Sequence, residues 1–307
     1  MVQWRRFLLL VVAAGLLAFS LSAQQLYGFG EGNKIVSIDP TTGASTAIVA
    51  TGSGGAQASS AADLGGRRIF FLGNMDGVLT LMTFSAGSGS VTQVPLPSGT
   101  PFLEYDPVTR LLYGFGTTTL ISIDPSTGAV TQLAAVALDG IFGGVSTFDP
   151  VGRRVIFAGL LGGTPTLFTY SIGSNAVSHV SFPEASSIEY DAANGSVLAL
   201  YGSSLSRIDP ATGASTPIAT VAVAGSTQGV SSFDPIHRKG YFVGDSGGQA
   251  RLVTYDPVGN TVTTVNLAGA VFIESLPSAA QVPVASYSTL VLLIAALTLI
   301  ALRRLSA

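Results

Sequence analysis

The chain repeats itself every 85 residues, and that period limits what it can fold into. Leu26-Tyr27-Gly28-Phe29-Gly30 returns as Leu112 to Gly116 and, shortened, as Leu200-Tyr201-Gly202. Ser37-Ile38-Asp39-Pro40-Thr41-Thr42-Gly43-Ala44 returns at Ser122 to Ala129 and, with Arg in first place, at Arg207 to Ala214. A second, related unit lies between these: Phe148-Asp149-Pro150-Val151-Gly152-Arg153-Arg154 matches Phe233 to Lys239 and, more loosely, Ala62 to Arg68. Each period therefore holds two units of about 43 residues.

Every unit presents four short apolar runs in a fixed order, for example Phe102 to Tyr105, Leu111 to Phe115, Leu120 to Ile123 and Val130 to Leu133. The turns between them carry Asp-Pro-x-x-Gly, where Pro presets φ and Gly accepts a positive φ, which is hairpin chemistry. Four antiparallel strands in about 43 residues make one blade of a β-propeller. Residues 24–281 hold six such blades, so the expected fold is all-β, a six-bladed propeller of three tandem two-blade repeats. A parallel β-helix is the rival, but its coils are shorter and would not return with paired hairpin turns. The first blade starts on its second strand, at Leu26, and the missing innermost strand is expected at Val271 to Pro277, which aligns with Pro101 to Pro107. Pairing the two ends would remove open sheet edges.

Composition agrees: 37 Gly and only 10% charged residues disfavour helix and favour turns. There is no Cys, so disulfides, thiolate metal sites and cysteine nucleophiles are excluded together. Residues 1–23 read as a secretory signal, with Arg5 and Arg6, an apolar run from Phe7 to Phe19, and cleavage after Ser20-Leu21-Ser22-Ala23. Residues 282–307 read as a sorting and membrane tail, in which the apolar Leu290 to Leu302 precedes Arg303 and Arg304 and leaves the domain outside by the positive-inside rule. Val282-Pro283-Val284-Ala285-Ser286, the apolar run and the two arginines resemble bacterial PEP-CTERM and IPTL-CTERM sorting signals, which implies a Gram-negative envelope. The strand pattern over residues 24–281 resembles bacterial propellers of the YVTN, NHL and TolB-like groups, which implies architecture alone.

Between the two end segments 10 Lys and Arg face 17 acids, a net charge of −7, so nucleic acid is excluded as a partner. Glu104, Glu189 and Glu274 recur at one position of the innermost strand in alternate blades, where Ala61, Thr147 and Ser232 occupy the others. Three carboxylates near the channel would raise one another's pKa or attract a cation such as Ca²⁺. Alternatively each bonds backbone N–H groups of a neighbouring blade. The turn residues Asp39, Asp106, Asp124, Asp149, Asp209, Asp234 and Asp256 share one face of the disc and are explained by turn chemistry, with Arg67, Arg68, Arg110, Arg153, Arg154, Arg238 and Lys239 offsetting their charge. The other face carries variable loops, such as Thr51 to Ser59, Leu138 to Gly144, Gly162 to Pro165 and Asp245 to Gly248, where recognition usually resides.

Catalytic signals are thin. His179 and His237 lack a recognisable Ser or Asp partner, Gly28-Phe29-Gly30-Glu31-Gly32 precedes no helix, and Asn194-Gly195-Ser196 reads as a hairpin turn. The sequence points to a monomeric, non-enzymatic envelope propeller that binds a protein or glycan through its variable loops and holds no obligatory cofactor. A metal-dependent hydrolase or lactonase using the channel carboxylates is the alternative.

Overall fold

The computed structural model describes residues 25–97 and 99–278; the expected signal and sorting tail lie outside them. Among the described residues the regular structure is entirely β: 24 strands in six four-stranded antiparallel sheets, arranged as a propeller, with no helix and hence none long and apolar enough to cross a membrane. We letter the strands of a blade a to d from the channel outward. Blade 4 runs Gly140–Asp149, Arg154–Leu161, Thr164–Ser171 and Ala176–Ser181, each paired with the next. In blade 1 strand a is Ile273–Leu276, paired with Gln25–Gly30 in the register Gln25 to Leu276 and Gly28 to Ile273.

Burial follows position in the blade. Middle strands are covered on both faces, so Val155 to Ala158 and Leu198 to Leu200 are runs without alternation. The outer strand Ala176–Ser181 is mostly exposed, with only Val177 and Val180 partly covered. The core accordingly divides into six apolar clusters, one at each junction between successive blades. Phe29, Phe71 and Phe272 stack between blades 1 and 2. Phe102, Phe115, Phe157 and Phe168 do so between blades 3 and 4. Tyr241, Val243 and Leu252 meet Leu26, Val36 and Ile273 between blades 6 and 1. Each buried aromatic of this kind contributes on the order of 2–3 kcal/mol from area alone.

The turns correct one sequence expectation. Each Asp does cap its turn: Asp149 accepts from the N–H of Val151 and Gly152, and Asp39 from the N–H and hydroxyl of Thr41. The positive-φ residue sits four positions after the Asp, but only some turns place Gly there. The c–d turns of blades 1, 3 and 5 use Gly43, Gly128 and Gly213, because a Cβ there would run into the backbone carbonyl of Asn266, Pro95 or Ser181 on the blade behind. The a–b turns of blades 2, 3, 4 and 6 instead hold Arg67, Arg110, Arg153 and Arg238 at φ of 50–60°. Two of these bridge backwards, Arg153 to Asp106 at 2.5 Å and Arg238 to Asp191 at 2.9 Å, each joining neighbouring blades. The charge offset expected for this face is thus made by specific ion pairs.

A second correction concerns the loops. Much of Leu138 to Gly144 and of Thr51 to Ser59 belongs to strand a, which is 10 residues long in blade 4 and 8 in blade 2. The register of strand a slips between Ile141 and Ser146, between Ser226 and Ser231, and between Ala56 and Ser60. Such bulges bend a strand out of its sheet. Here they turn backbone across the channel. Gly144 N–H bonds the Pro101 carbonyl at 2.6 Å and Gly229 N–H the Ser186 carbonyl at 2.8 Å. Gly229 also lies so close to blade 4 that a Cβ would stand 2.6 Å from Gly144 Cα. Blades 4 and 6 are not neighbours in the ring, so this meeting reaches past the inner strand of blade 5 and narrows the channel on the variable-loop side.

Gly229→Ala tests that meeting. Gly89 shares its positive φ but has nothing within 4 Å of a built Cβ. Gly89→Ala should cost about 1 kcal/mol in urea unfolding from backbone strain, and Gly229→Ala about 1–3 kcal/mol more from overpacking. Equal costs would mean that the two inner strands are not in contact.

Candidate functional site

Six inner strands converge on the channel, and what lines it is decided by which face of each strand points inward. Strand a enters from the variable-loop side and leaves at the a–b turn. Gly144, Gly229 and Ser59 therefore form the floor, and Leu64, Pro107, Pro150 and Pro235 the rim, of one cavity of about 320 Å³. Glu104, Glu189 and Glu274 all line it. The structure thus brings together the three residues that the repeat singles out.

Their partners differ from the expected backbone N–H groups. Ser146 donates its hydroxyl to Glu104 Oε1 at 2.6 Å. Ser231 bonds Glu189, and Ser60 and Ser232 bond Glu274. Ser60, Ser146 and Ser231 occupy one position of strand a in blades 2, 4 and 6, so the channel carries a ring in which Glu and Ser alternate blade by blade. The backbone N–H that follows the Glu is taken by the next hydroxyl instead. Tyr190 N–H donates to Thr147 Oγ1 at 2.8 Å and Ser275 N–H to Ser232 Oγ at 2.9 Å. Ser60, Ser146 and Ser231 are the residues that sequence reading missed; their signal is a Ser one place before the residue aligned with each Glu.

Among the described residues no Lys, Arg or His lines this cavity. Burial pushes the Glu104 carboxyl up to about 8, with the charge of Glu274 adding to the rise and the Ser146 hydroxyl opposing it. Burial likewise lifts Glu274 to about 7 against its serine bonds. Glu189 stands well above the ordinary carboxyl range, through burial first and then the charges of Glu274 and Glu104. Among the described residues no group of three or more His, Asp or Glu lies close enough together to hold a metal ion.

The histidines do not enter the site. His179 lies on the outer strand of blade 4 against the Phe168 ring. His237 does have an Asp partner, contrary to the sequence expectation: its Nδ1 meets Asp234 Oδ2 at 2.5 Å, within a surface turn. The variable-loop face carries a separate groove, lined by Gln57, Thr100, Pro101 and Phe115 to Thr117.

No family model matches the chain, and no curated protein matches it. Solved structures do. The chain is similar to TolB from Acinetobacter baumannii, with a TM-score of 0.61 and 13% identity over 83% of this chain. It spans 66% of that TolB chain, just under two thirds of its length. It is also similar to a chain of a nidogen/laminin complex, with a TM-score of 0.64 and 10% identity, covering 82% of this chain and 97% of that one. At these identities the likeness is one of fold.

The carboxyl ring fixes a sign for pH dependence. An unfolded Glu ionises near 4.5, whereas folded Glu274 and Glu104 keep their protons to about 7 and 8. Between those values the folded state binds more protons, so stability is greatest at the acid end and falls as pH rises toward 8. The melting temperature should drop by a few °C from pH 5.5 to pH 8, and Glu104→Gln with Glu274→Gln should flatten that slope. An unchanged slope in the double variant would show that the carboxyls are not desolvated.

Proposed function

We propose that this protein is an exported, envelope-associated binding propeller, non-enzymatic, that docks a protein partner over the a–b turn face with one group of the partner entering the channel. The observation that carries the reading is the cup itself: closed in by backbone on the loop side, polar and acidic inside, apolar at the rim. Val108, Val151 and Ile236 stand beside that rim at the turn tips and are 66%, 79% and 48% exposed. Large apolar side chains held outward by rigid Asp-Pro turns around a concavity are what a docking surface needs. The variable loops of the opposite face, where the sequence places recognition, offer no comparably enclosed site.

Supporting the address are the signal-like residues 1–23 and the apolar tail ending in Arg303 and Arg304. A binding role fits the fold neighbours, one of which was solved as a nidogen/laminin complex. On the same reading the three 85-residue repeats arose by duplication of a two-blade unit, and the pairing of Ile273–Leu276 with Gln25–Gly30 acts as the clasp of the ring.

A photo-cross-linking residue at Val151 or Ile236, in cells exporting the protein, should give a discrete adduct, while the same residue at Gly162 or Gly247 on the opposite face should give none. Adducts confined to positions 162 and 247 would return recognition to the variable loops.

A further inference from the structure

The cup joins three carboxyls to an absence of internal cations. Glu104, Glu189 and Glu274 stand on alternate blades of a six-bladed ring, so each is carried to the next by about a third of a turn around the axis. The remaining titratable groups that line the cavity are Tyr105 and Tyr190, whose hydroxyls accept from Arg68 at 3.5 Å and Arg154 at 3.4 Å and so are already engaged. A further polar group waits at the floor. Ser59 lines the cavity and is 3% exposed, yet its buried hydroxyl has no hydrogen-bond partner among the described residues. A buried hydroxyl left without a partner costs stability unless a ligand or water takes it up.

We infer that the cup receives the primary ammonium group of a lysine side chain presented by the docked partner, held by the glutamate ring with the Ser59 hydroxyl accepting from below. This rests on the docking role proposed above and names the group that enters. The fit is one of symmetry and reach. An alkylammonium carries three N–H donors disposed threefold about its C–N bond, and the ring offers three acceptors disposed threefold about the channel. The carboxyls sit three residues inward of the rim, Glu104 before Pro107, or about 10 Å along an extended strand. A ligand that reaches them must lead with its charge on a narrow apolar stem, and the lining of Leu64, Phe148 and Phe233 suits four methylenes.

Other cations fit less well. A bound Ca²⁺ needs six to eight oxygens drawn in to about 2.3–2.6 Å, and among the described residues no group of three acids is that tight; an ammonium makes longer contacts, at about 2.8 Å, and needs only three acceptors. A guanidinium presents a planar fork suited to one carboxylate in its own plane, and a quaternary ammonium has no donor to offer. Crowded, buried carboxyls keep their protons until a cation arrives. Ammonium binding should therefore expel protons, which ties its affinity to pH.

The test uses the full chain purified in a non-ionic detergent, titrated by calorimetry with n-butylammonium and with Nα-acetyl-lysine amide, in two buffers of different ionisation enthalpy. Both probes should bind saturably, release protons at pH 7 and bind more tightly at pH 8 than at pH 6. Tetramethylammonium and n-butylguanidinium should bind at least about tenfold more weakly. Glu189→Gln should weaken the amine by about tenfold or more. Ser59→Ala should weaken it while leaving the melting temperature unchanged or raised, which a folding defect would not do.

Amine binding that is indifferent to both substitutions, or no tighter than tetramethylammonium, overturns the inference. So does a Glu-dependent rise in melting temperature with Ca²⁺ that the amine cannot compete away. Failure of the lysine probe where the simple amine binds would assign the cup to a small amine instead. Cross-linking at Val151 without amine binding would overturn the ammonium alone and leave the docking face standing, whereas amine binding without any adduct there would do the reverse.

Discussion

Each blade is a sheet with two apolar faces, and neither face can be left in water. Val155, Phe157 and Phe168 look toward blade 3, while Ile156, Ala158 and Leu167 look toward blade 5, so a single blade has no polar side to expose. Six such sheets satisfy one another in a ring, where every face finds a neighbour and the first and last described strands share one blade. Burial between blades is nondirectional and large. It holds the six inner strands close enough to the axis for bulges on blades 4 and 6 to touch past the inner strand of blade 5.

That crowding generates the electrostatics of the channel. The glutamates are spaced far apart in sequence and would ionise independently in an unfolded chain. Convergence of the blades strips much of the water from all three, most fully from Glu274, and places their charges within reach of one another, and both effects favour the protonated form. The serine ring offsets part of the cost, since hydroxyls can donate to carboxylates that backbone N–H groups do not reach. A site whose acids are short of countercharge has stability in reserve for a cationic visitor.

The turn face of the disc is governed by a different constraint. The Asp turns place a residue at positive φ four positions on, and in the c–d turns of blades 1, 3 and 5 its identity depends on what lies behind it. Where the turn abuts the neighbouring blade only Gly fits, as at Gly43 and Gly213. In the a–b turns of blades 2, 3, 4 and 6 Arg takes that place, and Arg153 and Arg238 use it to form an ion pair with the adjacent blade's Asp106 or Asp191. One local geometry therefore serves close packing on one set of turns and lateral bridging on another.

The sequence by itself determined the fold, the number of blades and the position of the glutamate triplet. Each rests on spacing, and a recurrence of 85 residues survives whatever the side chains later touch. It also determined the turns, because Asp caps and Pro act within four residues of themselves. The need for Gly in the c–d turns was not legible, since the carbonyl that excludes a Cβ at Gly43, Gly128 or Gly213 belongs to the neighbouring blade. Nor was the serine ring, because Ser60, Ser146 and Ser231 gain a role only by facing a Glu on another blade. The side on which the channel opens depended on bulges at Ile141 to Ser146 and Ser226 to Ser231, the first of which begins within the segment Leu138 to Gly144 that reads as loop. Tertiary structure alone decided these features, for a bulge closes a channel only when a strand from a non-adjacent blade is there to meet it.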